Sequence, residues 1–308
     1  MAGLSVGIVG TGGVGIASAG AVIFQGLAGC VTLYGRTGDR ARGEALDYLS
    51  GMPLLPRTEI RGRSFEEIEP EDVLVITVGA HTKSGQSRLD MLQGNLDVMA
   101  ATAEAIERGG LPRVAIVVSS PLDVLTEYLT RRWADRPVSV MGTGTSLDTL
   151  RFAELLAREC GVHARTVHAW VVGEHGDSAV FLFSGACIGA MSLVDYAQQR
   201  KLDLTPEWRA GIEQEVRSAA YRVRELAGAS RHGIGLAVSG LIRCIGREAG
   251  TIIPVSVRVA DGVCASLPCA LGPDGPSEPL MPAMNADEQT AWEHSLDVLR
   301  KANSALPF

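Results

Sequence analysis

A chain of 308 residues that is 46% hydrophobic and 20% charged can bury a sizeable core and has the composition of a globular protein, not a disordered one. Its formal charge of -7, with no block of lysines or arginines, argues against nucleic acid or an anionic membrane surface as a partner. No apolar run approaches the roughly 20 residues needed to span a bilayer, and six cysteines (Cys30, Cys160, Cys187, Cys244, Cys264, Cys269) without a C-x-x-C pair point to reduced thiols, no metal site and a cytoplasmic setting.

The opening MAGLSVGIV lacks a basic segment and runs directly into glycines, so it reads as a strand and not as a leader. Strands are expected at 5–9, 30–34, 73–78, 113–118 and 139–141, alternating with helix-length stretches to about residue 140. That alternation predicts βαβ units and a parallel sheet. After GTGTS the texture changes to α+β. Helices are expected at 147–160, 206–227 and 234–249, and strands at 166–172, 253–259 and 264–271. The last helix opens on Asn285 with Glu288 three residues on, a capping box, and then places Trp292, Leu296 and Leu299 at helical spacing. The expected domains are residues 1–142, binding a dinucleotide, and 143–308, holding the substrate.

The first chemical motif is GTGGVG, in which Gly10, Gly12, Gly13, Val14 and Gly15 follow an apolar strand and open a helix. Glycines there allow a tight turn and close backbone approach to a pyrophosphate, with helix N–H groups facing the phosphates. About 20 residues on, where a carboxylate usually accepts the ribose 2′-hydroxyl, the chain reads YGRTG. Gly35 removes the charge that would repel a 2′-phosphate, while Arg36, Thr37 and Arg40 could bind one. NADP(H) is therefore the favoured cofactor, with NAD(H) the alternative. Of the six histidines only His175, in GEHGDS between Gly173 and Gly176, has a setting that suggests proton transfer.

Taken together, GIVGTGGVG, GEALDY, RLDMLQGNLDV, SSPLDVLT, GTGTSLDTLRF, VVGEHGDS, IGLAVSGLI and SLPCALGPDG, in this order, resemble the L-lactate and L-malate dehydrogenases over nearly the whole chain. The resemblance implies a Rossmann doubly wound parallel sheet followed by an α+β substrate domain, and hydride transfer between a nicotinamide and a small 2-oxo acid. By the same resemblance His175 is the acid in reduction and Asp148 orients its ring. Arg151 clamps the substrate carboxylate, Arg88 closes over the carbonyl, and Gly79, Ala80 and Asn95 lie by the cofactor. A homodimer or homotetramer is also implied.

Three departures bear on substrate. Thr82 stands where lactate enzymes of the family carry glutamine and malate enzymes arginine, so a distal carboxylate meets no cation there, although Lys83 adjoins it. Ser120 replaces the asparagine of an SNP turn. Ser230 keeps a small hydroxyl, and Arg231 and His232 beside it are either silent substitutions or, acting together, reshape the pocket for a larger acid, with a second anionic group facing Arg231. Ala153 and Gly185 stand where many bacterial relatives bind a sugar bisphosphate, so no such activation is expected. The second enzymatic reading is an ordinary NAD-dependent L-lactate or malate dehydrogenase that tolerates Gly35 and Thr82. A nucleotide-binding regulatory protein that has lost catalysis is the reading of another class, and the intact set His175, Asp148, Arg88 and Arg151 speaks against it.

Overall fold

The computed structural model describes residues 3–80, 88–259 and 262–307, with only the backbone of residues 88–91. The first half alternates β1 (Ser5–Val9), α1 (Gly13–Phe24), β2 (Cys30–Gly35), α2 (Asp39–Ser50), β3 (Glu59–Ser64), β4 (Val73–Ile76), α3 (Arg88–Gly109), β5 (Val114–Val117), α4 (Leu122–Arg132), β6 (Ser139–Gly142) and α5 (Ser146–Cys160). Strands β1, β4 and β5 are buried on both faces, as continuous Val/Ile runs must be when helices cover a parallel sheet on each side.

The sheet order β3-β2-β1-β4-β5-β6 is all parallel. The direction of winding reverses between β1 and β4, and such a switch point opens a crevice at the carboxyl ends of the strands. Strand β3 was not foreseen. Its sequence EIRGRS has a single buried apolar residue, Ile60, and alternating Glu59, Arg61 and Arg63, as suits an edge that must not pair with another chain.

The second half adds β7 (Val167–His168), β8 (Val171–Val172), β9 (Val180–Phe181), β10 (Cys187–Ile188), β11 (Met191–Ser192), α6 (Leu193–Arg200), α7 (Pro206–Ala227), α8 (His232–Gly246), β12 (Ile252–Arg258), β13 (Cys264–Gly272), β14 (Gly275–Pro276) and α9 (Ala286–Asn303). The single strand expected at 166–172 is two. The chain changes partner at Ala169–Trp170, so β7 pairs with β10 whereas β8 pairs with β9. Strands β12 to β14 extend the large sheet antiparallel, through Ser256 opposite Gly142. α9 begins with the anticipated box, Asn285 accepting from the Glu288 N–H and Glu288 from the Asn285 N–H, and Trp292, Leu296 and Leu299 are buried.

Helix α8 lies against α1 so closely that a Cβ on Gly235 would come within 2.7 Å of the Ala17 backbone. This contact sets the start of α8 beside the glycine turn. All six cysteines are free, four of them buried and Cys30 and Cys187 half-buried. Among the described residues no cluster of His, Cys, Asp or Glu could hold a metal ion, and no helix is long and apolar enough to cross a membrane.

Candidate active site

The glycine turn sits at the carboxyl end of β1. Gly10 adopts φ 110° and donates to the Tyr34 carbonyl at 2.9 Å, tying the turn to β2. A Cβ on Gly15 would fall 1.9 Å from the Gly10 oxygen, so helix and turn can meet only through glycine. A Cβ on Gly12, by contrast, would meet nothing within 4 Å, and Gly12 caps α1 without a side-chain bond. The turn is thus tight inside and open outside, with free helix N–H groups on the open side. It fits a dinucleotide pyrophosphate, as a cradle filled by any side chain would not.

The neighbouring strand ends complete that corner. At the end of β2, a Cβ on Gly35 would lie 3.5 Å from Thr11 Oγ1, while Arg36 and Thr37 are exposed and no carboxylate pairs with Arg36 among the described residues. Arg40, expected beside them, forms a 3.7 Å ion pair with Glu44. After β4, Asn95 from α3 accepts the Ala80 N–H at 2.8 Å and stands 3.5 Å from a notional Cβ on Gly79. Asn95 therefore shapes this segment through its backbone, a structural task that its helix position alone did not reveal.

His175 follows β8 on a segment that only glycine can thread. Gly173 has φ 85°, exchanges two 2.9 Å backbone bonds with Ser266, and would drive a Cβ to 2.6 Å from Ser295 Oγ. Gly176 is hemmed by the Glu174 carboxylate, which itself accepts from the Ser178 N–H and hydroxyl. The His175 ring meets Asp148, with Nδ1 2.7 Å from Oδ2. A carboxylate can only accept here, so Nδ1 carries the proton and Nε2 is left for chemistry. The other oxygen of Asp148 accepts from Arg151 Nη1 at 3.0 Å, across three residues of α5.

A second acid holds this segment from behind. Asp123 on α4, 3% exposed, accepts the His175 backbone N–H at 2.8 Å and the Ser256 hydroxyl at 2.6 Å. Burial pushes its carboxyl up to about 6, against the pull of those two bonds and of the imidazole. Burial of the imidazole works against a charge on His175, but the hydrogen bond and charge of Asp148, with Asp123 adding to them, outweigh it and hold the pKa above the ordinary histidine value. Sequence reasoning missed Asp123. Its signal was a lone carboxyl inside the apolar run PLDVLT.

His175, Asp148, Arg151 and Ser120 line one cavity of about 270 Å³, together with Arg217, Tyr221 and Arg224 of α7. The last three were not anticipated, although VRSAAYRVR places them at three- and four-residue intervals. Ser230 is half-buried and does not line this cavity. Arg231 does not face it either. Its Cδ lies 3.5 Å from a notional Cβ on Gly13, and with His232 it borders a cavity between α1, α2 and α8, because the α1–α8 contact draws it to the glycine turn. The expectation of a distal anion facing Arg231 is thus corrected. Thr82 and the Arg88 side chain lie outside the described residues.

Residues 4–142 match the family description "lactate/malate dehydrogenase, NAD binding domain", and residues 145–305 match "lactate/malate dehydrogenase, alpha/beta C-terminal domain". The chain is 37% identical to the L-lactate dehydrogenase of Thermus aquaticus, over 99% of this chain and 100% of that protein. It is 35% identical to that of Deinococcus radiodurans over 96% of this chain and 97% of the relative. Among solved structures it superposes on a lactate dehydrogenase enzyme from a Medee basin deep-sea metagenome library with TM-score 0.91 at 30% identity, covering 98% of each chain. On the minor L-lactate dehydrogenase of Enterococcus mundtii, in a ligands-bound form, the TM-score is 0.93 at 28% identity over 99% of each. With both halves accounted for in sequence, and the glycine turn and the His175–Asp148–Arg151 set in place, the chain belongs to the lactate/malate dehydrogenase family of oxidoreductases.

Proposed function

We propose that the chain reduces a small 2-oxo acid to the corresponding 2-hydroxy acid, as an L-lactate dehydrogenase does, with residues 1–142 carrying the cofactor and 143–308 the substrate. The observation that carries this reading is the bond of His175 Nδ1 to Asp148, which leaves Nε2 for chemistry on a residue lining the same cavity as Arg151. A nicotinamide cofactor bound at the glycine turn supplies the hydride. Arg151 binds the substrate carboxylate by the N–H groups that Asp148 leaves free, and so fixes the carbonyl against Nε2. His175 gives the Nε2 proton to the carbonyl oxygen, and Asp148 lowers the cost of the protonated ring before that step. Arg88, from the start of α3, polarises the carbonyl when the site closes. Ser120 borders the substrate, and Thr82 is the remaining position for selectivity. The test is oxidation of reduced cofactor on addition of pyruvate; no turnover with pyruvate or any other 2-oxo acid would contradict the reading.

A second reading concerns the cofactor. The matched family domain binds NAD, yet Gly35 offers no carboxylate to the 2′-position and Arg36 has no ion-pair partner among the described residues. These two features support use of NADPH as well. Gly35→Asp should shift the NADPH/NADH ratio of kcat/KM towards NADH by about tenfold or more, the effect of one misplaced charge on a phosphate. An unchanged ratio removes the argument. A homodimer or homotetramer is also proposed, on the exposed apolar side chains Phe24, Leu46, Leu54 and Leu236, and light scattering tests it.

A further inference from the structure

One wall of the catalytic cavity is a face of α7, on which Arg217, Ala220, Tyr221 and Arg224 recur at three- and four-residue intervals. A simple 2-oxo acid has one carboxylate, which Arg151 suffices to hold. The wall nevertheless carries two more guanidinium groups. Local charge balance separates them. Arg151 is matched by Asp148 at 3.0 Å. Arg217 is matched by Glu213 at 2.7 Å, donates to the Ala179 carbonyl at 2.7 Å and lies over the Phe181 ring. Arg217 is thus committed to protein partners, while Arg151 keeps for the 2-oxo carboxylate the N–H groups that Asp148 leaves free.

Arg224 is different. Among the described residues no carboxylate lies within ion-pair distance of it, and its side chain is exposed on the cavity side of the last turn of α7. Asp177, which lines the cavity from the segment after His175, has a partner of its own. A helix C-terminus tolerates a cation, which explains why arginine is stable there but not why it borders the substrate. Seven residues of helix separate Arg224 from Arg217, a rise of about 10 Å, so the unmatched charge stands well along the wall from the committed one. Thr82, the position the family resemblance assigns to substrate choice, has no charge to offer.

Resting on the reading of this cavity as the site of 2-oxo acid reduction, we propose that Arg224 selects a substrate whose side chain ends in a second anionic group, a carboxylate or a phosphonate. The substrate spans the cavity, its 2-oxo carboxylate on Arg151 and its distal anion on Arg224. An exposed guanidinium gains a charge-assisted bond only once the ligand excludes water from it, so discrimination of roughly ten- to hundredfold is expected.

The test compares kcat/KM for matched pairs of equal chain length: oxaloacetate with 2-oxobutanoate, and 2-oxoglutarate with 2-oxopentanoate. 3-Phosphonopyruvate forms the phosphonate arm and pyruvate the reference. The parent chain should favour the anionic member of a pair by roughly ten- to hundredfold, and the arm with the larger preference identifies the distal group. In Arg224→Met, checked for an unchanged thermal unfolding midpoint, that preference should collapse towards unity through KM. If the parent reduces pyruvate and the neutral acids as well as the anionic ones, or if Arg224→Met keeps the preference, the inference is overturned while the proposed activity stands. If no 2-oxo acid is reduced, both fall together.

Discussion

Replacing Asp148 by asparagine isolates what the carboxylate contributes to proton donation. Asparagine keeps one oxygen for His175 Nδ1, now 2.7 Å from Oδ2, puts an amide nitrogen in place of the oxygen that accepts from Arg151 Nη1 at 3.0 Å, and removes the negative charge. A hydrogen bond between charged partners is worth about 1.5–3 kcal/mol. The His175 side chain is 34% exposed, which places this pair towards the low end through solvent screening. A loss of about 1.5 kcal/mol from the protonated ring corresponds to roughly a tenfold smaller protonated fraction at pH values where the ring is mostly neutral. The sign follows from the raised pKa: His175 is the donor below its pKa, reduction fails as pH rises through it, and removing Asp148 moves that failure to lower pH. The assay is kcat/KM for 2-oxo acid reduction between pH 5 and 9. In Asp148→Asn the alkaline limb should shift to lower pH and the rate there fall about tenfold or more. An alkaline limb that coincides with that of the parent would refute the reasoning.

Asp123 offers two further tests. Its carboxyl, raised from 3.8 to about 6 by burial, is an acid that the native state holds protonated longer than the unfolded state does. It therefore contributes stability below about pH 4 that is lost as pH rises through about 6, of order 3 kcal/mol. Urea unfolding of Asp123→Asn between pH 4 and 8 should lack that fall, and a curve parallel to the parent contradicts the assignment. The same variant keeps an acceptor for the His175 N–H but removes a charge that favours the imidazolium, so its alkaline limb in the rate profile should also move to lower pH. Gly15→Ala must displace the Gly10 oxygen, costing about 1–3 kcal/mol of stability together with cofactor affinity; thermal unfolding and a fluorescence titration with NADH check both, and a variant that binds NADH normally would show the turn to be looser than described.

The parallel half of the fold was legible because its strands are uniform apolar runs and its glycines recur where only a turn explains them. Polar β3 was hidden, since an edge strand buries only Ile60 and derives its pairing from β2, not from its own pattern. The break at Ala169–Trp170 was hidden for a related reason: apolar residues on both sides look like one strand, and only the arrival of β9 and β10 from later in the chain divides them. At the site, the three-residue spacing of Asp148 and Arg151 predicted that both would face the same way, and they meet. Asp123 was opaque because its bond is to a backbone N–H 52 residues away, a contact for which no local spacing exists. Arg231 was misplaced for the same reason, the packing of α8 on α1 turning it away from the substrate cavity, whereas Arg224 lines that cavity at a helical spacing the sequence did carry.

The measurement closest to the heart of the account is the rate of 2-oxo acid reduction by His175→Asn, made beside a fluorescence titration of the same variant with reduced cofactor. Loss of a general acid should lower kcat by about 10²–10⁴-fold, while the affinity for cofactor, held at the far glycine turn, stays within about twofold of the parent. Turnover within tenfold of the parent by a variant that binds cofactor normally would mean that the proton comes from another group.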